Sequence, residues 1–289
     1  MTTSEIMTLL RARGFRFTHS LGQNFLVDED VLEEIVTKAA VSGRNVLEIG
    51  AGAGCLTQAL ARQAGRVLAI EIDDKLMPVL ETVLGPYKNV QLVQGDALKL
   101  DLAALTRGAF GGQPFDVVAN LPYYITTPVL FRLLEGDLPI ERICVMLQKE
   151  AVERVTARPG AKEYGPLAIQ CAYRADIETI VRAAPHCFVP QPHVESEVIA
   201  LDMRPYPVQV EEKAFMRLVK SCFLMRRKTL VNNLMAYGLA RGEAEEAVRS
   251  CGLPAAVRAE ALDLDQFLAL FGEITHSGVL PGRDRGNDK

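Results

Sequence analysis

The sequence predicts an α/β chain in two parts: a doubly wound, mostly parallel sheet over residues 1–205, then a small all-helical region over 206–278. Three observations predict it. Short apolar runs alternate with stretches of helical period from Val31 to about Val155. One of those runs, Val46 to Ile49, bends through Gly50-Ala51-Gly52-Ala53-Gly54 into a helical stretch. After Pro205 and Pro207 the pattern becomes helical throughout.

The elements follow in order. The stretch 31–40 sets Val31, Leu32, Ile35, Val36 and Ala39 on one helix face, with Asp28 or Asp30 as its cap. A strand at 46–49, a helix at 55–64, a strand at 67–71, a helix at 74–84 and strands at 90–93 and 115–119 come next. A helix at 127–135 and a strand at 142–147 continue the alternation. The β-rich segments 177–183 and 195–203 read as an antiparallel edge that closes the sheet. Beyond it, periodic stretches at 211–225, 228–237, 243–250 and 263–271 build the helical region. The tail 279–289 is rich in glycine and charge and is expected to be disordered.

Composition narrows the class. A chain of 289 residues, 49% hydrophobic, can bury a substantial core. No apolar run approaches a membrane span, and residues 1–14 lack a signal-peptide core, so a cytoplasmic protein with no membrane partner is expected. The cysteines Cys55, Cys144, Cys171, Cys187, Cys222 and Cys251 form no C-x-x-C pair and read as buried reduced thiols. His19, His186, His193 and His276 show no metal-ligand spacing, and no metal is expected. The net charge of −4 is awkward for a nucleic-acid partner, yet positive charge is local. Arg11, Arg13 and Arg16 precede the first motif, Lys149, Arg154, Arg158 and Lys162 cluster mid-chain, and Arg226-Arg227-Lys228 form a triplet. Local patches, not net charge, meet phosphates, although each cluster also reads as a solvated helix face.

The strand-to-helix bend carries the first chemical signal. Glycines there let the backbone approach a ligand where a β-carbon would clash. The dinucleotide fingerprint needs a third glycine at the sixth position, which here is Cys55. That departure argues against NAD and fits a ligand with no pyrophosphate, such as S-adenosyl-L-methionine (SAM), at Gly50 and Gly52. Glu71 closes the next strand, about twenty residues on, where a carboxylate grips a ribose diol. After the third strand, Asp96 can accept from an adenine amine while the Ala97 N–H meets a ring nitrogen.

Asn120-Leu121-Pro122-Tyr123 carries the second signal, because it closes a strand. The exocyclic amine of adenine is a poor nucleophile, since its lone pair is delocalised into the ring. An enzyme that methylates it must hold both amine hydrogens with neutral acceptors. The Asn120 side-chain carbonyl and the backbone carbonyl of Leu121 or Pro122 can do so, and Tyr123 can stack on the base. Positioning and preorganised dipoles do most of that work.

Taken with their order, these segments resemble the ribosomal RNA small-subunit adenine dimethyltransferase family (KsgA type) over nearly the whole chain. The resemblance rests on Gly22 to Leu26, Glu48 to Gly54, Glu71, Asp96-Ala97 and Asn120 to Tyr123. Further matches are Met146 to Glu150 with Arg154, Lys162 to Leu167, Phe188 to Ser196, Phe223 to Leu230 with Asn232-Asn233, and Arg258 to Glu260 with Leu262. Ala51 stands where many relatives carry proline, and Leu121 replaces the proline of some members.

The resemblance implies a Rossmann-like SAM-dependent domain whose first 27 residues touch cofactor and RNA. It implies a SAM site lined by Asn24, Leu26, Gly50, Glu71, Asp96 and Asn120, and a flipped adenine held between Phe188 and Tyr123. Taken alone, Phe188 in its proline-rich loop reads as a core plug. The implied reaction is dimethylation of two adjacent adenosines in the 3′-terminal hairpin loop of small-subunit (16S) rRNA, within an immature 30S-type particle during ribosome biogenesis. Nothing in the sequence demands more than a monomer. Arg226, Arg227, Lys228 and Lys149 are candidates for RNA phosphates, and the triplet equally reads as pairing with C-terminal acids. Two rivals remain open: a large-subunit rRNA adenine methylase of the macrolide-resistance type, and a largely non-catalytic assembly checkpoint factor.

Overall fold

The structure, a computed structural model, describes residues 1–17, 22–135, 138–205 and 211–276. His19, Pro207 and the tail 279–289 therefore lie outside the described residues, as does the Tyr123 side chain. The chain divides into two compact units, Met1–Val152 with Arg174–Pro205, and Glu153–Tyr173 with Tyr206–Lys289.

The first unit is built on a seven-stranded sheet: β2 (Asn45–Ile49), β3 (Arg66–Glu71), β4 (Val90–Gln94), β5 (Phe115–Asn120), β6 (Ile140–Gln148), β7 (Ala175–Ala183) and β9 (Ser196–Met203). Its order is β4-β3-β2-β5-β6-β9-β7. The pairs from β4 to β6 are parallel, and β9 runs antiparallel to both β6 and β7. This is the doubly wound sheet with the antiparallel edge that the sequence predicts. The central strands β2, β3 and β5 are near-continuous apolar runs because both faces are covered, whereas the edge strand β7 alternates. Leu47, Val67, Leu68, Ala69, Phe115 and Val117 are essentially water-free, and truncating a Leu in such a layer costs about 2–5 kcal/mol.

Helix α2 (Glu29–Lys38, capped by the Asp28 carboxylate) leads into β2, and the crossovers are α3 (Cys55–Gln63), α4 (Met77–Leu84), α5 (Leu102–Phe110) and α6 (Thr126–Leu134). Helix α5 falls where the sequence suggested two strands in succession. Consecutive parallel strands need such a crossover, but Leu102–Phe110 carries Gly108 and few large apolar residues, so its periodicity is faint. Two further elements have little local signal. The helix α1 (Thr3–Ala12) is held by a Thr2–Glu5 capping box. The strand β1 (Phe25–Leu26) pairs antiparallel with β8 (Phe188–Val189).

The second unit holds α8 (Pro166–Arg174), α9 (Glu212–Cys222), α10 (Leu230–Tyr237), α11 (Arg241–Ser250) and α12 (Leu264–His276). The sequence places residues 153–173 with the sheet, but in the structure they pack among these helices. The Tyr164 hydroxyl donates to the Leu262 carbonyl at 2.7 Å. The rings of Tyr164 and Tyr173 meet Phe223 and Phe215 at centroid distances of 6.0 and 5.2 Å. The chain crosses between units within α7 (Lys149–Val155). No helix among the described residues is long and apolar enough to cross a membrane. No cysteines are bridged, and all but Cys251 are buried.

Candidate active site

The strand order reverses between β2 and β5, and ligands of such sheets sit in the crevice at the carboxyl ends there. A cavity occupies that crevice, lined by residues 22–26, by the glycine loop after β2, and by the segments that follow β3, β4 and β5. The sequence-predicted residues Asn24, Leu26, Gly50, Gly52, Glu71, Asp96, Ala97, Asn120, Leu121 and Pro122 all line it. Four separate strand ends and the segment 22–26 deliver them, which explains why the motifs are scattered along the chain.

The glycine loop is held against β3 by the Gly50 and Ala51 N–H groups, which donate to the Ile70 carbonyl at 2.8 and 3.1 Å. Gly52 has φ +57°, and a β-carbon there would lie 3.1 Å from the Phe25 ring. A side chain is thus disfavoured twice, by backbone and by space. The Gly52 N–H donates to one Glu71 oxygen at 2.7 Å, and the Asp73 N–H to the other at 2.8 Å. Glu71 is 5% exposed, and burial raises its pKa against the lowering effect of those N–H donors.

Glu48, which carries no assigned role from its sequence, faces the same cavity. It is 1% exposed, and burial pushes its pKa up to about 8, with Thr57 opposing and the nearby Glu71 charge assisting. One of its oxygens has no hydrogen-bond partner among the described residues. Asp96 accepts from the Leu98 N–H at 2.9 Å and stands 3.4 Å from the Lys99 ammonium. Among the described residues no lysine, arginine or histidine lines the cavity, whereas Glu48, Glu71 and Asp96 do. That donor set suits a cationic ligand with a diol and an amine, and offers nothing to a phosphate. A cofactor bearing a sulfonium and an ammonium fits it.

Residues 22–26 are latched over the cavity from three sides. The Gln23 amide donates to Asp73 at 2.7 Å, β1 pairs with β8, and the Asn120 amide donates to the Asn24 carbonyl at 3.2 Å. Only the NH2 end of an amide can donate to a carbonyl, so this bond orients Asn120 and leaves its Oδ1 as an acceptor. The sequence left open which neighbouring carbonyl could assist. The Pro122 carbonyl already accepts from the Ile125 N–H at 3.1 Å and the Thr126 hydroxyl at 3.3 Å. No such bond occupies the Leu121 carbonyl among the described residues.

Other predicted residues stand elsewhere. Phe188 is 1% exposed, buried in the core beside Leu26, its strand partner, and does not line the cavity. Lys149 is exposed at the start of α7. In the second unit, Arg226, Arg227 and Lys228 are exposed between α9 and α10. Arg226 donates to the Lys162 carbonyl at 2.7 Å and stands 3.6 Å from Glu260, which ties it into that unit's own frame. The fold also brings His186 and Cys187 beside Asp28, ligand atoms within 4.8 Å of one another, a grouping that sequence spacing hides.

Similarity to known proteins agrees with this geometry. A family profile described as "Ribosomal RNA adenine dimethylase" matches residues 14–276. The chain is 42% identical over 265 residues to the ribosomal RNA small subunit methyltransferase A of Clostridioides difficile (strain 630), covering 90% of this chain and 91% of that one. It is 42% identical over 284 residues to the protein of the same name from Geobacillus sp. (strain WCH70), covering 95% and 97%. Among solved structures, a dimethyladenosine transferase from Plasmodium falciparum shares the fold, with TM-score 0.73, 24% identity and coverage of 88% and 98%. The 23S rRNA methyltransferase ErmE superposes with TM-score 0.65 at 25% identity, covering 87% of this chain and 99% of that one. The chain belongs to the ribosomal RNA adenine dimethylase family, and is a SAM-dependent rRNA adenine methyltransferase.

Proposed function

We propose that this protein dimethylates two adjacent adenosines in the 3′-terminal hairpin loop of small-subunit rRNA, acting in the cytoplasm as a monomer on an immature 30S-type particle. The observation that carries the reading is the Asn120 amide, whose NH2 is committed to Asn24 and whose Oδ1 is left to accept at the cavity. SAM, when bound, supplies an electrophilic methyl on a positively charged sulfur. Asn120 Oδ1 and the Leu121 carbonyl hold the two amine hydrogens of the target adenine, so that its lone pair leaves the ring plane. Preorganised neutral dipoles of this kind need no reorientation during transfer. No metal is called for.

Glu71 receives the ribose diol, Asp96 and Ala97 the adenine edge of the cofactor, and Asn24, Leu26, Gly50 and Gly52 close around the rest. Tyr123 stacks on the target base. Phe188 joins it only if β8 releases the ring from the core. An unstacked loop base is cheaper to flip than a paired one. Lys149 and the Arg226–Lys228 triplet are assigned to RNA phosphates, Arg227 and Lys228 ahead of Arg226.

The test is a labelled-SAM assay on small subunits from a strain lacking the modification, with mass mapping of the rRNA. Dimethyladenosine at adjacent adenines near the 3′ end is expected. Methyl on large-subunit rRNA would move the reading to the ErmE-like alternative, which the 42% identity to small-subunit enzymes disfavours. Subunit maturation that survives Asn120→Ala while methylation is lost would separate a checkpoint role from catalysis.

A further inference from the structure

A single large apolar side chain left in water is ordinary, but several gathered around one cleft mark a surface that a ligand covers. Two of the few in this protein, Ile72 at 44% and Tyr124 at 51% exposed, line the same cavity. They arrive from different elements. Ile72 follows β3, and Tyr124 sits in the short 3-10 turn Tyr123–Ile125 after β5. Because β3 and β5 flank β2, the two residues come from opposite sides of the glycine loop. Strand ends two places apart in a sheet stand about 10 Å from each other, room for a flat ring system between side chains. The turn that carries Tyr124 is braced by the bonds that Ile125 and Thr126 make to the Pro122 carbonyl.

We infer that Tyr124 is a cofactor-binding residue, whose ring forms one wall of the slot for the adenosyl half of SAM. This deepens the reading of the cavity proposed above and rests on it. The charges around the phenol point to the cofactor side of the site. Partial burial, and after it the charges of Asp96 and Glu71, the carboxylates assigned to the adenosyl group, hold the Tyr124 hydroxyl above its ordinary pKa. The neighbouring Tyr123 is left to the target base. The tetrapeptide and the residue after it thus divide two adenines between two aromatic rings.

The chain has no tryptophan, so the emission of its 7 tyrosines can be followed unmasked, and each variant is read against the six that remain. Wild-type protein is titrated with S-adenosylhomocysteine, with emission and calorimetry read in parallel, and the titration is repeated on Tyr124→Phe, Tyr124→Ala and Tyr123→Phe. Tyr124→Phe should lose the emission change while keeping wild-type affinity, and Tyr123→Phe should keep the change. Tyr124→Ala should bind on the order of tenfold more weakly, the loss expected when an aromatic ring is removed from a stacked base. An undiminished emission change in Tyr124→Phe, or wild-type affinity in Tyr124→Ala, would overturn the inference. A rise in KM for RNA alone would overturn it too, by moving Tyr124 to the target side. Failure of the wild type to bind would instead sink the cofactor reading of the cavity, and this inference with it.

Discussion

The two ends of the central sheet treat buried carboxylates in opposite ways. At the amino end, Asp116 is 3% exposed at the start of β5, and Arg44 just before β2 meets it with two hydrogen bonds of 2.8 and 2.9 Å. Arg44 also bonds Glu141 on β6, and these carboxylates raise its pKa further. At the carboxyl end, Glu48 and Glu71 are just as buried, yet neither has an ion-pair partner among the described residues. Burial therefore raises both pKa values there. A buried charge that is paired braces a structure, whereas a buried carboxylate left without a cation costs stability. The difference marks the carboxyl end as the place where a ligand completes the electrostatics.

The sharpest test of this contrast is Asn120→Ala. It should lower single-turnover methyl transfer about 10²–10³-fold, the usual effect of losing one preorganised polar group, with little change in the urea midpoint. A large stability loss instead would make Asn120 a structural residue and blur the two ends. Arg44→Met addresses the opposite end and should act the opposite way. Stranding Asp116 should cost about 2–3 kcal/mol in urea unfolding, below a fully buried pair because the Arg44 side chain is 39% exposed. Binding of S-adenosylhomocysteine should be unchanged, and its loss would show that the ends are coupled.

Glu48→Gln sharpens the comparison through pH. The folded pKa of Glu48, about 8, lies above its ordinary value of 4.5. The folded state therefore holds a proton that the unfolded state has released, and wild-type stability falls as pH rises from 4.5 through 8. The glutamine variant lacks this loss. Its stability relative to wild type should rise by about 2 kcal/mol between pH 5 and 7, and level off above pH 8. A flat difference, read by urea melts across that range, would mean that Glu48 is ionised and solvated. The smallest effect is expected from Gly52→Ala, about 1 kcal/mol from its left-handed backbone. It should also weaken S-adenosylhomocysteine binding, because the new methyl pushes on Phe25.

Much of the site is legible without a structure because its residues sit at strand ends. Apolar runs locate β2, β3, β4 and β5, and the residue that closes each run is placed at the crevice almost automatically. Gly50, Glu71, Asp96 and Asn120 are all found that way. Glu48 and Tyr124 are not, since one looks like a strand residue and the other like a second copy of Tyr123. Phe188 shows the limit from the other side. Its motif draws attention, but only packing reveals that its ring lies in the core beside Leu26.

By itself, the sequence determined the alternation of strands and helices, the glycine bend that argues against a dinucleotide, the carboxylates at successive strand ends and the tetrapeptide that closes β5. These are local patterns of period, spacing and residue type. What distant segments do to one another emerges from their packing alone. It paired β1 with β8, drew 153–173 among the helices through Tyr164 and Tyr173, and aimed Asn120 by a bond to Asn24 across 96 positions. It also left Glu48 dry while giving Asp116 an arginine. A residue's type is written in the chain, but its burial and its partners depend on which remote surfaces exclude water from it, and no local pattern carries that information.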